Sequence, residues 1–366
     1  MVDSTSVMYA SKTKENKKID RINLRKIVLF GLIIFLIFSI FAGILNGASS
    51  VSFFDFFHVI LTQDFSVSSK TRDYLVLIDI RLPRVILGVL IGSALAVSGV
   101  LMQGLFRNPL ADPGIVGVSA GAGLGAVLAI VVGIAFPASL VPLLEPYNVI
   151  IGAFWGGLLS TIVLYTIATH HNFTSIATML LAGIALGALS SAVVGTLIFI
   201  ANDQQLRDIT FWSLGSLAGA TWLKVWLVLP FICVGLLSSP FLSRALNALA
   251  LGEAVAGHIG FHIQHIKNIA ILLVALMCGS AVAVSGGIGF IGIVVPHILR
   301  QLIGPDHRYL IPYSALLGAA LLIFADTFAR LIVAPAELPI GIVTALFGAP
   351  FFLWILIRKR GTNFHD

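Results

Sequence analysis

Charge is scarce in this chain. Asp, Glu, Lys and Arg together make up 10% of its 366 residues, where a soluble domain carries about 25%. With 58% hydrophobic residues and a mean hydropathy of +1.04, a water-soluble globule of this length is excluded. Cysteine is nearly absent: Cys233 and Cys278 both lie inside apolar stretches, without a partner at metal-site spacing. They imply no disulfide framework and read as small apolar core residues. The sequence has no Gly-Lys dipeptide, and so no P-loop to cradle ATP phosphates. It has neither a His-Glu-x-x-His zinc motif nor a Gly-x-Ser-x-Gly nucleophile elbow. Ionisable residues within the apolar runs are few, and Asp326 is the clearest. A proton- or sodium-coupled carrier needs buried carboxylates or an equivalent cation site. Asp326 has Arg330 four residues on, which also reads as a helix-stabilising pair. The energy source is therefore expected on another chain, and a cation-coupled carrier using Asp326 stands as the reading of another class. A non-transporting membrane scaffold is a third, disfavoured by the repeat described next.

What is present is length of apolar sequence. A membrane span needs about 20 mostly apolar residues, and about ten such stretches occur, near 27–47, 85–106, 114–135, 148–169, 176–200, 222–241, 266–285, 288–303, 311–331 and 340–357. Basic residues crowd the N-terminus, and Arg358-Lys359-Arg360 lies close to the C-terminus. By the positive-inside rule both ends are cytoplasmic, which an even number of spans satisfies. The cytoplasmic side then also takes Arg107, Arg244, Lys267, Arg300 and Arg308. The pI of about 9.5 is explained by charges flanking spans, and no basic face for nucleic acid emerges. The octets Gly92–Gly99 and Gly279–Gly286 differ at one position only. Small residues recur wherever membrane helices pack closely, but the flanking spacing also matches, as it does in transporters built from two related halves. Five spans per half make the second half enter from the opposite side. The expected fold is an all-α polytopic membrane protein of two inverted-topology repeats. Its parts are a basic cytoplasmic tail (1–26), a transmembrane permease domain (27–358, halves about 27–200 and 222–358, with a loop at about 238–265) and a short cytoplasmic tail (359–366).

Many separate motifs recur in order along residues 50–358. They include Arg81-Leu82-Pro83-Arg84, Asn108-Pro109-Leu110-Ala111-Asp112-Pro113, Leu251-Gly252-Glu253, Gly289-Phe290-Ile291-Gly292, Pro296-His297-Ile298-Leu299-Arg300 and Ala336-Glu337-Leu338-Pro339. In these the chain resembles the permease subunits of ABC importers for iron chelates, haem and cobalamin. The resemblance implies a homodimer in the inner membrane, with two cytoplasmic ATPase subunits below and a periplasmic binding protein above; no cofactor is expected. Segments 203–217 and 339–352 look closest to haem permeases. Ferric-siderophore and cobalamin permeases share most of these residues.

The resemblance assigns roles residue by residue. The loop at 238–265 is too long and too apolar for a plain connector and reads as two short helices. By resemblance it docks on the ATPase, through Arg244, Leu251, Gly252, Glu253, Gly257 and Gly260. Asn108-Pro109 to Pro113 is a tight turn in which Asp112 can cap a helix starting at Pro113. By resemblance Asn108 and Leu110 lie near the inner constriction of the pathway. Thr174, Ser175 and Thr178 are either gate residues or helix N-caps. Arg81, Arg84 and Arg330 fall at the outer membrane face, where they either snorkel or, by resemblance, pair with acidic residues of the binding protein. The histidines, His58, His170, His171, His258, His262, His265, His297 and His307 among them, form no evident axial-ligand pair, so no metal site is assigned.

Overall fold

The computed structural model describes residues 4–47, 75–134, 144–171, 173–334 and 336–360. His58 lies outside them. The described chain is helical apart from one two-stranded hairpin. Within a bilayer, helices satisfy their backbone groups internally, so long apolar runs can take few other forms.

The first half supplies α1 (Ser4–Leu45), α2 (Leu82–Leu105), α3 (Val118–Val131), α4 (Asn148–Ala168) and α5 (Ile176–Ile200). The hairpin β1 (Thr169–His170) and β2 (Phe173–Thr174) joins the last two. A polar helix, α6 (Asp203–Leu214), follows, opened by a capping box of Asn202 and Gln205. The second half supplies α7 (Trp222–Ser238), the short α8 (Ser243–Leu249) and α9 (Glu253–His258), then α10 (Ile263–Ser285), α11 (Ile291–Ile303), α12 (His307–Ile332) and α13 (Ile340–Arg360). Seven of these regions are long and apolar enough to cross a membrane, and shorter apolar helices lie at Val118–Val131, Ile291–Ile303 and Ile340–Ile355. Together they coincide with the ten expected stretches. The expected 114–135 and 288–303 spans are shortened. Pro113–Val116 is a separate 3-10 turn, and helix begins again only at Ile291. Such breaks are tolerated where protein, not lipid, surrounds them. The basic tail from Ser4 onward is helix, continuous with the first span.

The octet-bearing helices α2 and α10 are the most deeply buried spans, and they pack on each other. The remaining contacts exchange between halves as a repeat requires. Helix α2 packs on α12 and α11 of the second half, while α10 packs on α4 and α3 of the first. Small residues allow this. A Cβ at Gly92 would run into the carbonyl of Gly318, and one at Gly99 into the carbonyl of Gly292. Ser93 Oγ donates to the Ala315 carbonyl at 2.9 Å, adding a polar link between α2 and α12.

Gly99→Ala should therefore lower the thermal midpoint of the purified chain, by the equivalent of about 1–3 kcal/mol for overpacking. Gly31→Ala, with nothing within 4 Å of the added Cβ, should not. Equal midpoints for both variants would contradict the close α2–α11 approach.

Candidate functional site

The candidate residues gather at the two ends of the bundle. At one end, which the basic-residue pattern assigns to the cytoplasm, the chain leaves α7 through a 3-10 turn at Ser239–Leu242. It then forms α8 and α9, as the loop length suggested. Gly252, at φ 118°, and Gly260, at φ 100°, bracket α9 with backbone conformations that side-chain-bearing residues rarely adopt. Helix α8 buries Ala245, Leu246, Ala248 and Leu249. It is tied to the start of α12 by Asn247, whose Nδ2 donates to Asp306 at 2.7 Å and whose Oδ1 accepts from the His307 backbone at 3.0 Å. Burial pushes the Asp306 carboxyl up, but hydrogen bonds from Asn247 and the Arg308 backbone, with the nearby arginines, hold it below the usual carboxylate range.

The outward face of this loop is apolar. Leu251, Val255 and Ile259, at four-residue spacing, are 69%, 44% and 58% exposed. Arg244, Gly257 and Gly260 are exposed beside them, and Gly252 is half-buried. Glu253 instead turns inward, to an ion pair with Lys267 at 2.9 Å. Lys267, counted from the sequence among the basic residues of the cytoplasmic side, is buried. Its Nζ also donates to the Thr174 carbonyl at 3.0 Å.

The hairpin residues divide. Thr174 is buried, with its backbone N–H on Gln264 Oε1 at 3.1 Å and its hydroxyl accepting from Gln264 Nε2 at 2.6 Å. Ser175 is the N-cap of α5 and accepts from the Thr178 N–H at 3.3 Å. The N-cap alternative thus describes the local geometry of Ser175 and Thr178. In the turn after α2, Asn108 is exposed and Leu110 half-buried, and Asn108 Oδ1 accepts from the Leu110 N–H at 3.0 Å. Asp112 caps the Pro113 turn through the Gly114 N–H at 2.7 Å.

The three arginines lie together at the opposite end, as the sequence reading placed them, but turned inward. Arg81, Arg84 and Arg330 are buried. Arg84 grips the Asp326 carboxylate through Nε and Nη2, both at 2.9 Å, and its Nη1 reaches Glu337 at 2.9 Å. Arg330 lies 3.2 Å from the same Asp326 and donates to the carbonyls of Gly43 and Asn46. Arg81 Nη1 donates to those of Ile44 and Leu45 at 2.7 and 2.9 Å. The end of α1 leaves carbonyls without helical partners, and cations there also meet the negative end of the helix dipole. Burial of long side chains against a second helix, invisible in a linear pattern, overrides the expected exposure. The i,i+4 pair of Asp326 and Arg330 is present, yet Arg84, from the other half, is the closer partner. With two guanidinium groups on its carboxylate, Asp326 is held in a charge network that joins the two halves.

One feature escaped the sequence reading. Segments 203–217 and 339–352, noted only for their resemblance, meet around a groove of about 630 Å³ that includes Leu214, Gly287, Phe290, Gly341 and Leu346. Phe290 sits there at φ 69°, a conformation uncommon for a bulky residue. Its signal in the sequence was the glycine density of Gly286–Gly292.

Comparison with known proteins agrees with this arrangement. The profile of the FecCD transport family matches residues 32–358. The chain belongs to that family. Among its FecCD relatives, the hemin transport system permease protein HmuU of Yersinia pestis is 46% identical over 340 residues, spanning 91% of this chain and 96% of that protein. The vitamin B12 import system permease protein BtuC of Escherichia coli O9:H4 (strain HS) is 44% identical over 282 residues, 77% of this chain and 83% of that one. A metal-chelate type ABC transporter solved in an inward-facing conformation superposes with a TM-score of 0.77 at 32% identity, covering 91% of this chain and 99% of that chain. The chain is accordingly a multi-pass membrane permease of the ABC importer class, and the expected family and fold class both hold.

Arg84→Met leaves Asp326 buried beside Arg330 alone, and should cost about 3–5 kcal/mol, the range for removing one partner of a buried ion pair. Chemical unfolding of the purified chain measures it. A loss below about 1 kcal/mol, as for exposed pairs, would contradict the buried network.

Proposed function

We propose that this chain is the membrane subunit through which haem, or another iron complex, passes from a periplasmic binding protein to the cytoplasm, driven by ATP hydrolysed on separate subunits. The observation that carries the reading is the outward apolar face of Leu251, Val255 and Ile259 on a loop held rigidly at its other side. Solvent-facing patches of this kind mark partner sites. Its occupant is an ATPase subunit, two of them serving a pair of permease chains, with both termini on the same cytoplasmic side. The relative named for hemin transport, and a groove walled by Leu214, Phe290 and Leu346 that suits a flat apolar cargo, favour haem. Cobalamin is the second reading, favoured by the vitamin B12 permease relative. A second copy would cover the side of α5, where Leu181, Ile184 and Phe199 face away from the chain. Asn108, Leu110, Ser175 and Thr178 would frame the inner constriction where the two copies meet, with Thr174 buried behind them rather than lining it.

Docking of the binding protein belongs to the arginine end. Because Arg81, Arg84 and Arg330 are occupied internally, a partner carboxylate would reach Arg84 by replacing Glu337, whose side chain is 42% exposed. Exchange at this rim would act on association rate and orientation more than on affinity.

Three measurements test these roles. In proteoliposomes holding the ATPase and binding protein, ATP should drive uptake of hemin in preference to vitamin B12; the reverse preference selects the second reading. Gly257→Trp should abolish uptake and weaken ATPase association without impairing membrane insertion, because only Ile263 Cδ1, at 3.8 Å, lies within 4 Å of an added Cβ. Full uptake in that variant would remove α9 from the interface. Glu337→Gln should speed binding-protein association at low salt, where charge is least screened. An unchanged rate and salt slope would leave Arg84 a purely internal residue.

A further inference from the structure

A lysine with almost no exposure stands where three elements meet. Lys267 lies in the first turns of α10 with its side chain 2% exposed. An ammonium group carries three donors and accepts nothing. Two of its acceptors come from different elements: the Glu253 carboxylate of α9, 2.9 and 3.0 Å away, and the Thr174 carbonyl of β2, at 3.0 Å. The Phe173 ring lies 4.9 Å from the same nitrogen, close enough for a cation–π contact. One turn earlier, Gln264 accepts from the N–H of Thr174 and donates to its hydroxyl.

The links are unequal in a way that suggests a direction of force. Among the described residues, Glu253 supplies the only ion pair between α9 and the bundle, and its partner is the lysine that also holds the hairpin. The hairpin leads through Ser175 directly into α5. Of that 25-residue helix only Met179, Ser190 and Leu197 are buried, and within the chain it packs on α3 and α4. A buried charge cannot give up one partner without losing the compensation for its own desolvation. Motion of α9 is therefore more readily passed to the hairpin than absorbed between them.

We propose that Lys267 is a positioning residue that makes α9 and the 169–174 hairpin one mechanical unit, so that force on the exposed face of α9 displaces the base of α5. The inference rests on the reading that an ATPase docks on α8 and α9. It adds to that reading the route by which docking reaches a membrane span, and it gives Thr174 the role of a buried tie in that route.

Spin labels at the exposed positions His171 and His258, in a Cys233→Ala, Cys278→Ala background of the full transporter with its ATPase, test the unit directly. A third label at exposed Arg308 supplies the reference. On adding a non-hydrolysable ATP analogue, the 171–258 distance should hold within about 2 Å, the size of ordinary interface helix shifts, while both labels move relative to Arg308. In Lys267→Met the same analogue should separate the pair by more than that amount, because α9 responds and the hairpin no longer follows. Glu253→Ala cuts the link from the other side and should give the same separation, which keeps the test decisive if the lysine variant fails to fold. A pair that separates in the parent, or one that stays fixed in a folded variant, overturns the proposal. An ATPase that does not co-purify with the parent chain defeats the docking reading and this inference together. An ATPase that binds normally, with a pair indifferent to both substitutions, defeats this inference alone.

Discussion

The ion pair between Arg84 and Asp326 closes the first half of the chain onto the second. Because it joins the start of α2 to the final turns of α12, it also sets the register of an antiparallel helix pair along its whole length. Gly92 then meets Gly318, Ser93 reaches the Ala315 carbonyl, and Gly104 comes up against the His307 ring. Two charges buried this deeply would be destabilising singly. They are tolerated here because Glu337 and Arg330 complete the balance and the end of α1 takes the remaining donors. The same cluster that aligns α2 and α12 thus also fastens the first span.

The opposite end solves a different problem. On the proposed docking role, the chain there presents a surface to a partner while remaining attached to the spans. It does so with two anchors, Asn247 on Asp306 and Glu253 on Lys267. The anchors face inward and the large apolar side chains face outward, so the loop is firm behind and adhesive in front. Between the two ends, α2 and α10 form a tightly packed centre of small residues, whereas α5 and α13 bury few side chains of their own. A permease that alternates between open states needs both properties: a centre that holds its shape, and walls that can change their tilt.

Much of this was legible beforehand. Membrane insertion, the number and order of spans and the paired octets follow from sequence, because a bilayer demands long apolar segments and self-satisfied backbones whatever the neighbours are. The family motifs and the short helices of the 238–265 loop were equally visible, since glycine and proline punctuate the chain locally. The sequence determined these features because each depends on residues near one another along the chain. The tertiary structure alone decided the fate of the charges. Arg81, Arg84 and Arg330 look like surface residues at the ends of spans, and Lys267 like a cytoplasmic flank, until partners from other elements, as distant as Gly43 is from Arg330, are brought against them. The charge a side chain can carry is read from its identity, but its exposure depends on which helix packs over it. That is a property of the assembled bundle.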